Sequence, residues 1–175
     1  MKTIKDYVRT IPDFPEKGIM FRDITTVIQD PEGFRLAIDT MQELVKDLDF
    51  DTIAAAEARG FVFAAPLAYV LNKSLLLIRK KGKLPAATVS VDYTLEYGSV
   101  TTLEMHKDAV KPGDKVLLLD DLLATGGTIN AMAQLVEKQG AEVAGILVLL
   151  ELAGLKGRDR LKKYKIFSAV SYEGK

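Results

Sequence analysis

Four consecutive apolar residues, Val116, Leu117, Leu118 and Leu119, run into two adjacent carboxylates, Asp120 and Asp121. Leu122, Leu123, Ala124, Thr125, Gly126, Gly127 and Thr128 follow. A buried strand that ends in acids and passes through a small, glycine-rich loop suits a ligand, because ligands of open α/β sheets sit beyond the carboxyl ends of the strands. Gly126 and Gly127 let backbone N–H groups approach an anion without obstruction. Thr125 and Thr128 add hydroxyl donors, and a following helix would add its positive end. Together Ala124, Thr125, Gly126, Gly127 and Thr128 read as a phosphate cradle. No lysine follows and no GxGxxG is present, which excludes a Walker A loop and a dinucleotide fingerprint. Asp120 and Asp121 repel phosphate; they suit sugar hydroxyls or a cationic transition state beside it. An Asp pair alone, or a Gly-Thr loop alone, is common turn chemistry. The whole sequence of strand, acid pair, loop and helix is specific.

The elements that must position this loop follow from periodicity. Residues 116–119 read as a fully buried strand, 120–127 as a loop, and 128–139 as a helix closed by Gly140. Asp30-Pro31-Glu32 is a helix start, with Phe34, Ile38, Met41, Val45 and Leu48 as its apolar face. Residues 52–56 form a buried strand that stops at Glu57-Ala58-Arg59-Gly60, and a helix continues to about residue 71. Further strands are expected at 74–78, 88–91, 99–105, within 142–152, and at 166–170. Arg79 to Lys83 reads as a basic turn, residues 92–98 as a loop, and Lys111-Pro112-Gly113-Asp114 as a tight turn. Ile4, Tyr7, Val8 and Ile11 suggest a short helix after Thr3, and residues 12–25 an ordered, irregular segment. Strands alternating with helices give an α/β class with a mostly parallel central sheet.

Composition excludes several functions. The 175 residues carry 24 basic and 24 acidic side chains, so no global positive field is available for nucleic acid or anionic lipid. Cysteine is absent, which removes disulfides and thiolate metal sites. No signal peptide or membrane-length apolar run is visible, so a cytoplasmic protein with no membrane partner is expected. His106 is the single histidine and reads as structural or solvated; no G-x-S-x-G accompanies it. Lys156 to Arg160 reads as a solvated helix face.

The segment from Asp120 to Thr128 resembles the phosphoribosyl-diphosphate signature of the type I phosphoribosyltransferases, in the variant of their adenine-using members. Phe21-Arg22-Asp23-Ile24, Arg79-Lys80-Lys81-Gly82-Lys83-Leu84-Pro85 and Leu95-Glu96-Tyr97-Gly98 extend the likeness over nearly the whole chain. The resemblance implies one domain over residues 1–175, with a hood over about residues 1–30 and a mobile catalytic loop. It implies that adenine and phosphoribosyl diphosphate give AMP and diphosphate with Mg²⁺, the metal carried mainly by the substrate, in a homodimer. It assigns the 5′-phosphate to residues 124–128 and the ribose to Asp120 and Asp121. The diphosphate falls to Arg59, Arg79, Lys80 and Lys83, some of them reaching a neighbouring subunit. Phe21 and Leu122 would sandwich the purine, Met20 and Arg22 would read its edge, and Glu96 would be catalytic. Glu104, on a strand, matches no catalytic position. A cis peptide is implied at Glu57-Ala58, where Asp-Ser is often found. Two other readings are weaker. A non-catalytic sensor would need an added DNA-binding region, and an enzyme for hypoxanthine, guanine or xanthine would need a site matched to O6 rather than to a 6-amino group.

Overall fold

The computed structural model describes residues 1–95 and 98–174. In chain order the strands and helices are β1 (Arg9–Pro12), β2 (Met20–Asp23), α1 (Thr25–Gln29), α2 (Pro31–Leu44), β3 (Thr52–Ala56), α3 (Arg59–Leu71) and β4 (Ser74–Lys80). β5 (Thr88–Thr94), β6 (Val100–His106), β7 (Lys115–Leu123), α4 (Gly127–Lys138), β8 (Glu142–Leu152) and β9 (Ile166–Tyr172) complete them.

Period-two alternation builds the core. On β7, Leu117 and Leu119 join one apolar cluster with Met41 of α2 and Phe63 and Leu67 of α3. Val116 and Leu118 join the other, with Ile129, Met132 and Val136 of α4. Helices thus cover both faces of a sheet whose strand order is β5-β6-β4-β3-β7-β8-β9. β3 pairs in parallel with β4 and β7, as do β7 with β8 and β8 with β9. β5 and β6 form an antiparallel edge against β4. No described helix is long and apolar enough to cross a membrane.

The start of α2 is capped as its sequence requires: Asp30 Oδ1 accepts from the N–H groups of Glu32 and Gly33, both at 2.9 Å. Ile38, Met41 and Val45 are buried, and Phe34 and Leu48 pack beside them.

Four expectations are corrected. The expected helix through Ile11 is a 3₁₀ turn, Ile4–Tyr7, followed by β1, and the expected irregular stretch contains β2 and ends where α1 begins at Thr25. Thr10 and Ile11 pair across the ladder with Arg22 and Phe21, where β-branched side chains sit well. Arg79 and Lys80 continue β4 instead of forming a turn, because β6 supplies their ladder partners Glu104 and Leu103. Finally, Asp120 and Asp121 lie inside β7 and not in a loop. β8 runs alongside to the end, pairing Asp120 with Val148 and Leu123 with Glu151.

The hairpin of β1 and β2 is tied down by one acid. Asp23 accepts from Arg9 Nε at 3.0 Å and from the Thr25 N–H and hydroxyl at 2.9 and 2.6 Å. The Thr25 hydroxyl, then the Arg9 guanidinium, hold its carboxyl down to about 2.

Candidate active site

The carboxyl end of β7 opens into a cavity of about 410 Å³. Its floor is the acid pair, one wall is the loop entering α4, and another is the turn from β3 into α3. Arg59, Asp120, Asp121, Leu122, Ala124, Thr125, Gly126, Gly127 and Thr128, all singled out in the sequence, line it together.

Gly126 is the N-cap of α4 and has a φ of +84°, a conformation that favours glycine. A Cβ there would meet the carbonyl oxygen of Gly157 at 2.8 Å. The first turn of α4 therefore presents its free N–H groups to the cavity edge with little side-chain cover, as an anion requires.

The acid pair is asymmetric. Arg59 Nε lies 2.8 Å from Asp121 Oδ2. Asp120 has no such cation; its Oδ1 accepts the N–H of Asp121 at 2.9 Å. Burial, and then the neighbouring Asp121 charge, push the Asp120 carboxyl well above the usual carboxylate range. Asp120 thus retains its proton to higher pH than an ordinary aspartate, and both acids can engage vicinal hydroxyls or a developing positive charge.

The remaining basic residues stand outside this cavity. Glu57, which lines it, accepts from Arg79 Nε at 3.2 Å and from the Lys80 N–H at 2.8 Å. Arg79 and Lys80 are therefore held one residue away from the cavity wall, and Lys83 is exposed. The Glu57-Ala58 peptide is cis.

The hood residues are also apart from the lining. Phe21 is half-buried and meets Phe14 edge-on at 5.2 Å. Met20 is exposed. The Arg22 guanidinium lies 4.2 Å from the Tyr172 ring centroid and donates to the Thr10 hydroxyl at 2.5 Å, while its buried Nε has no hydrogen-bond partner. Glu96 lies outside the described residues. His106 accepts the Ala86 N–H at Nε2, 3.3 Å away, in keeping with a structural role. Glu104 is on β6 as expected, and it accepts the Gly82 N–H at 3.1 Å.

Several lining residues go without a site role in the sequence, and Tyr93 and Glu57 are the polar ones whose contacts matter here. Tyr93 lines the cavity, and its hydroxyl lies 3.3 Å from that of Thr128. Its expected place is the loop over residues 92–98, whereas β5 extends to Thr94; the alternation Val89, Val91, Tyr93 is the one signal of a continuing strand face. Glu57 stands at the expected strand end, in the segment that resembles the diphosphate loop, but its side-chain grip on β4 depends on a pairing of strands that spacing does not encode.

Comparison with known proteins agrees with this geometry. The phosphoribosyl transferase domain family matches residues 24–173. An adenine phosphoribosyltransferase of Agathobacter rectalis is 63% identical over 175 residues, covering 100% of both chains. Another from Butyrivibrio fibrisolvens is 59% identical, covering 100% of this chain and 96% of that one. The crystal structure of the adenine phosphoribosyltransferase from Thermoanaerobacter pseudethanolicus superimposes with a TM-score of 0.92 at 51% identity, covering 97% of this chain and 98% of the other. A Giardia lamblia enzyme solved with 9-deazaadenine gives 0.90 at 33% identity, with 99% of each chain covered. A loop of this build at a strand end, inside a chain alike from end to end, places the protein in the phosphoribosyltransferase family, among its adenine phosphoribosyltransferases.

Proposed function

We propose that this chain transfers the 5-phosphoribosyl group of phosphoribosyl diphosphate to N9 of adenine, giving AMP and diphosphate in purine salvage. The carrying observation is the cavity that joins the acid pair Asp120 and Asp121 to the open, glycine-capped start of α4. The backbone of residues 124–128 holds the 5′-phosphate. The acid pair engages the ribose hydroxyls and favours positive charge at C1′. Arg59 faces the diphosphate, with Arg79, Lys80 and Lys83 contributing near it, some of them toward a second subunit.

Adenine lies between Leu122 and Phe21, and Met20 and Arg22 read its edge. The unpartnered Nε of Arg22 supports this, because a buried donor without an acceptor is costly and a ligand can supply one. The C1′–oxygen bond to diphosphate breaks with its electron pair on the leaving oxygen as N9 bonds to C1′. Glu96 accepts the purine proton in this direction and returns it in reverse. Mg²⁺ is the cofactor, carried mainly on the diphosphate, whose charge it neutralises when bound. Asp120 and Asp121 offer hard oxygen donors in the cavity, and Mg²⁺ commonly takes one or two carboxylates alongside substrate phosphates.

Residues 1–175 act as one domain, with the hood over about residues 1–30, in a cytoplasmic homodimer. The test is a base panel with phosphoribosyl diphosphate and Mg²⁺. Adenine should exceed hypoxanthine by at least about 10²-fold in kcat/KM, because a mismatched hydrogen bond in a closed site costs several kcal/mol. Equal use of the two bases would overturn the assignment. Sedimentation at micromolar concentration should give twice 19.2 kDa, and a fully active monomer would refute the shared site.

A further inference from the structure

The charges around the phosphate cradle do not balance for an anion. Among the described residues that line the cavity, Glu57, Asp120 and Asp121 are acids, and Arg59 is the one cation. Arg59 is already paired with Asp121 at 2.8 Å. Backbone N–H groups at the start of α4 can hold a phosphate, and a further positive group within a few ångströms would strengthen its binding against these acids.

The turn Gly157–Leu161 brings one. Its first residue is pressed against the cradle: a Cβ on Gly157 would meet the Ala124 carbonyl oxygen at 2.4 Å, and one on Gly126 would meet the Gly157 carbonyl oxygen at 2.8 Å. The two backbones pack glycine to glycine, so the position of the turn and the shape of the loop are tied. The next residue anchors the turn to the sheet. Arg158 donates to both oxygens of the buried Glu151, at 2.7 and 2.8 Å, and Ser168 donates to the same carboxylate at 2.9 Å. Two residues further on, Arg160 Nη1 lies 3.1 Å from the point a Cβ of Gly127 would occupy. Among the described residues Arg160 makes no ion pair. Its guanidinium stands beside the first residue of α4, whose Cβ position also lies 3.9 Å from the Tyr93 ring and 4.0 Å from the Thr125 hydroxyl.

We propose that this turn completes the phosphate site, with Arg160 binding the 5′-phosphate and the Glu151–Arg158 pair positioning it. The inference rests on the enzyme reading above. The expected solvated helix face of Lys156 to Arg160 is a 3₁₀ turn on which Lys156 and Arg158 to Arg160 are exposed, and a phosphate role for Arg160 is added to it. Arginine suits the task, since its fork matches phosphate oxygens and its charge persists at any working pH.

The experiment is a titration of parent and Arg160→Gln with AMP, ribose 5-phosphate and adenine at low and high KCl. Arg160 is exposed, so its variant should fold as the parent does. Arg160→Gln should bind AMP and ribose 5-phosphate about 10-fold more weakly at low salt, with adenine unchanged and the gap narrowing at high salt. Arg160→Lys should recover part of the loss. Glu151→Gln, which keeps the acceptor oxygen for Arg158, should raise KM for phosphoribosyl diphosphate while kcat and the adenine KM stay near those of the parent. Equal AMP affinity in the parent and Arg160→Gln would overturn the phosphate role alone. A Glu151→Gln variant that lowers kcat and raises both KM values would overturn the positioning role. A parent chain that binds no AMP would bring down the enzyme reading as well.

Discussion

Asp120→Asn should make the protein more stable and less active, and the stability gain should grow with pH. Asp120 is only 9% exposed and has no cation of its own; the nearby Arg59 is taken by Asp121 at 2.8 Å. Its Oδ1 accepts the Asp121 N–H at 2.9 Å, a bond that an asparagine oxygen can keep. The substitution therefore removes an uncompensated buried charge and leaves the geometry. In the unfolded chain an aspartate ionises near pH 3.9, whereas in the fold Asp120 holds its proton to higher pH. The folded state binds more protons between those two values, so the parent loses stability as pH rises from about 4 until Asp120 ionises. The variant lacks that loss. At pH 8 the gain should be about 1–2 kcal/mol, the scale typical of removing a strained functional group. For a chain of this length that raises Tm by about 2–8 °C. At pH 4 the two melting points should nearly coincide. Activity should fall by about 10–10²-fold, corresponding to one hydrogen bond to a charged group. The assay is thermal unfolding of both proteins from pH 4 to 8, with kcat/KM at neutral pH. Parallel Tm curves, or a variant less stable at pH 8, would refute the reasoning.

Gly126→Ala should cost more than Gly127→Ala in AMP affinity. The first forces a side chain into a φ of +84° against a backbone oxygen at 2.8 Å, whereas the second meets the far end of the Arg160 side chain at 3.1 Å and otherwise ordinary contacts with Tyr93 and Thr125. Gly127→Val, which adds branched bulk beside the phosphate position, should weaken AMP and phosphoribosyl diphosphate more than adenine; unchanged phosphate affinity in a folded variant would count against the cradle. Glu96→Gln should lower kcat by about 10²–10⁴-fold in both directions with little change in diphosphate-substrate affinity. Glu104→Gln keeps an acceptor for the Gly82 N–H and should stay near the parent; the opposite ranking would displace Glu96 as the acid–base group. Asp23→Asn should remove stability at neutral pH. The depressed carboxyl contributes fully above about pH 4 and loses its contribution as pH falls toward about 2, so parent and variant should converge in acid, as seen by thermal melts across that range.

The chemistry at the centre was legible in the sequence because it is local. A strand, an acid pair, a glycine-rich loop and a helix follow one another without a gap, so Asp120 through Thr128 carry both the ligand class and the end of the sheet where it sits. The Asp30 cap and the α2 stripe are equally short-range. What the sequence left open depends on partners far along the chain. β7 runs on to Leu123 because β8 continues beside it, and Arg79 and Lys80 are strand residues because β6 pairs with them. Tyr93 falls in the loop expected over residues 92–98; β5 instead runs on to Thr94 because β6 pairs with it, and the packing of β5 on α4 sets its hydroxyl beside Thr128. Gly157 and Gly126 are 31 residues apart, and no periodicity announces that their backbones touch. Local spacing determined which groups this protein brings to a phosphate. The order of strands in the sheet decided which carboxylate is left without a cation, and which turn packs against the phosphate loop.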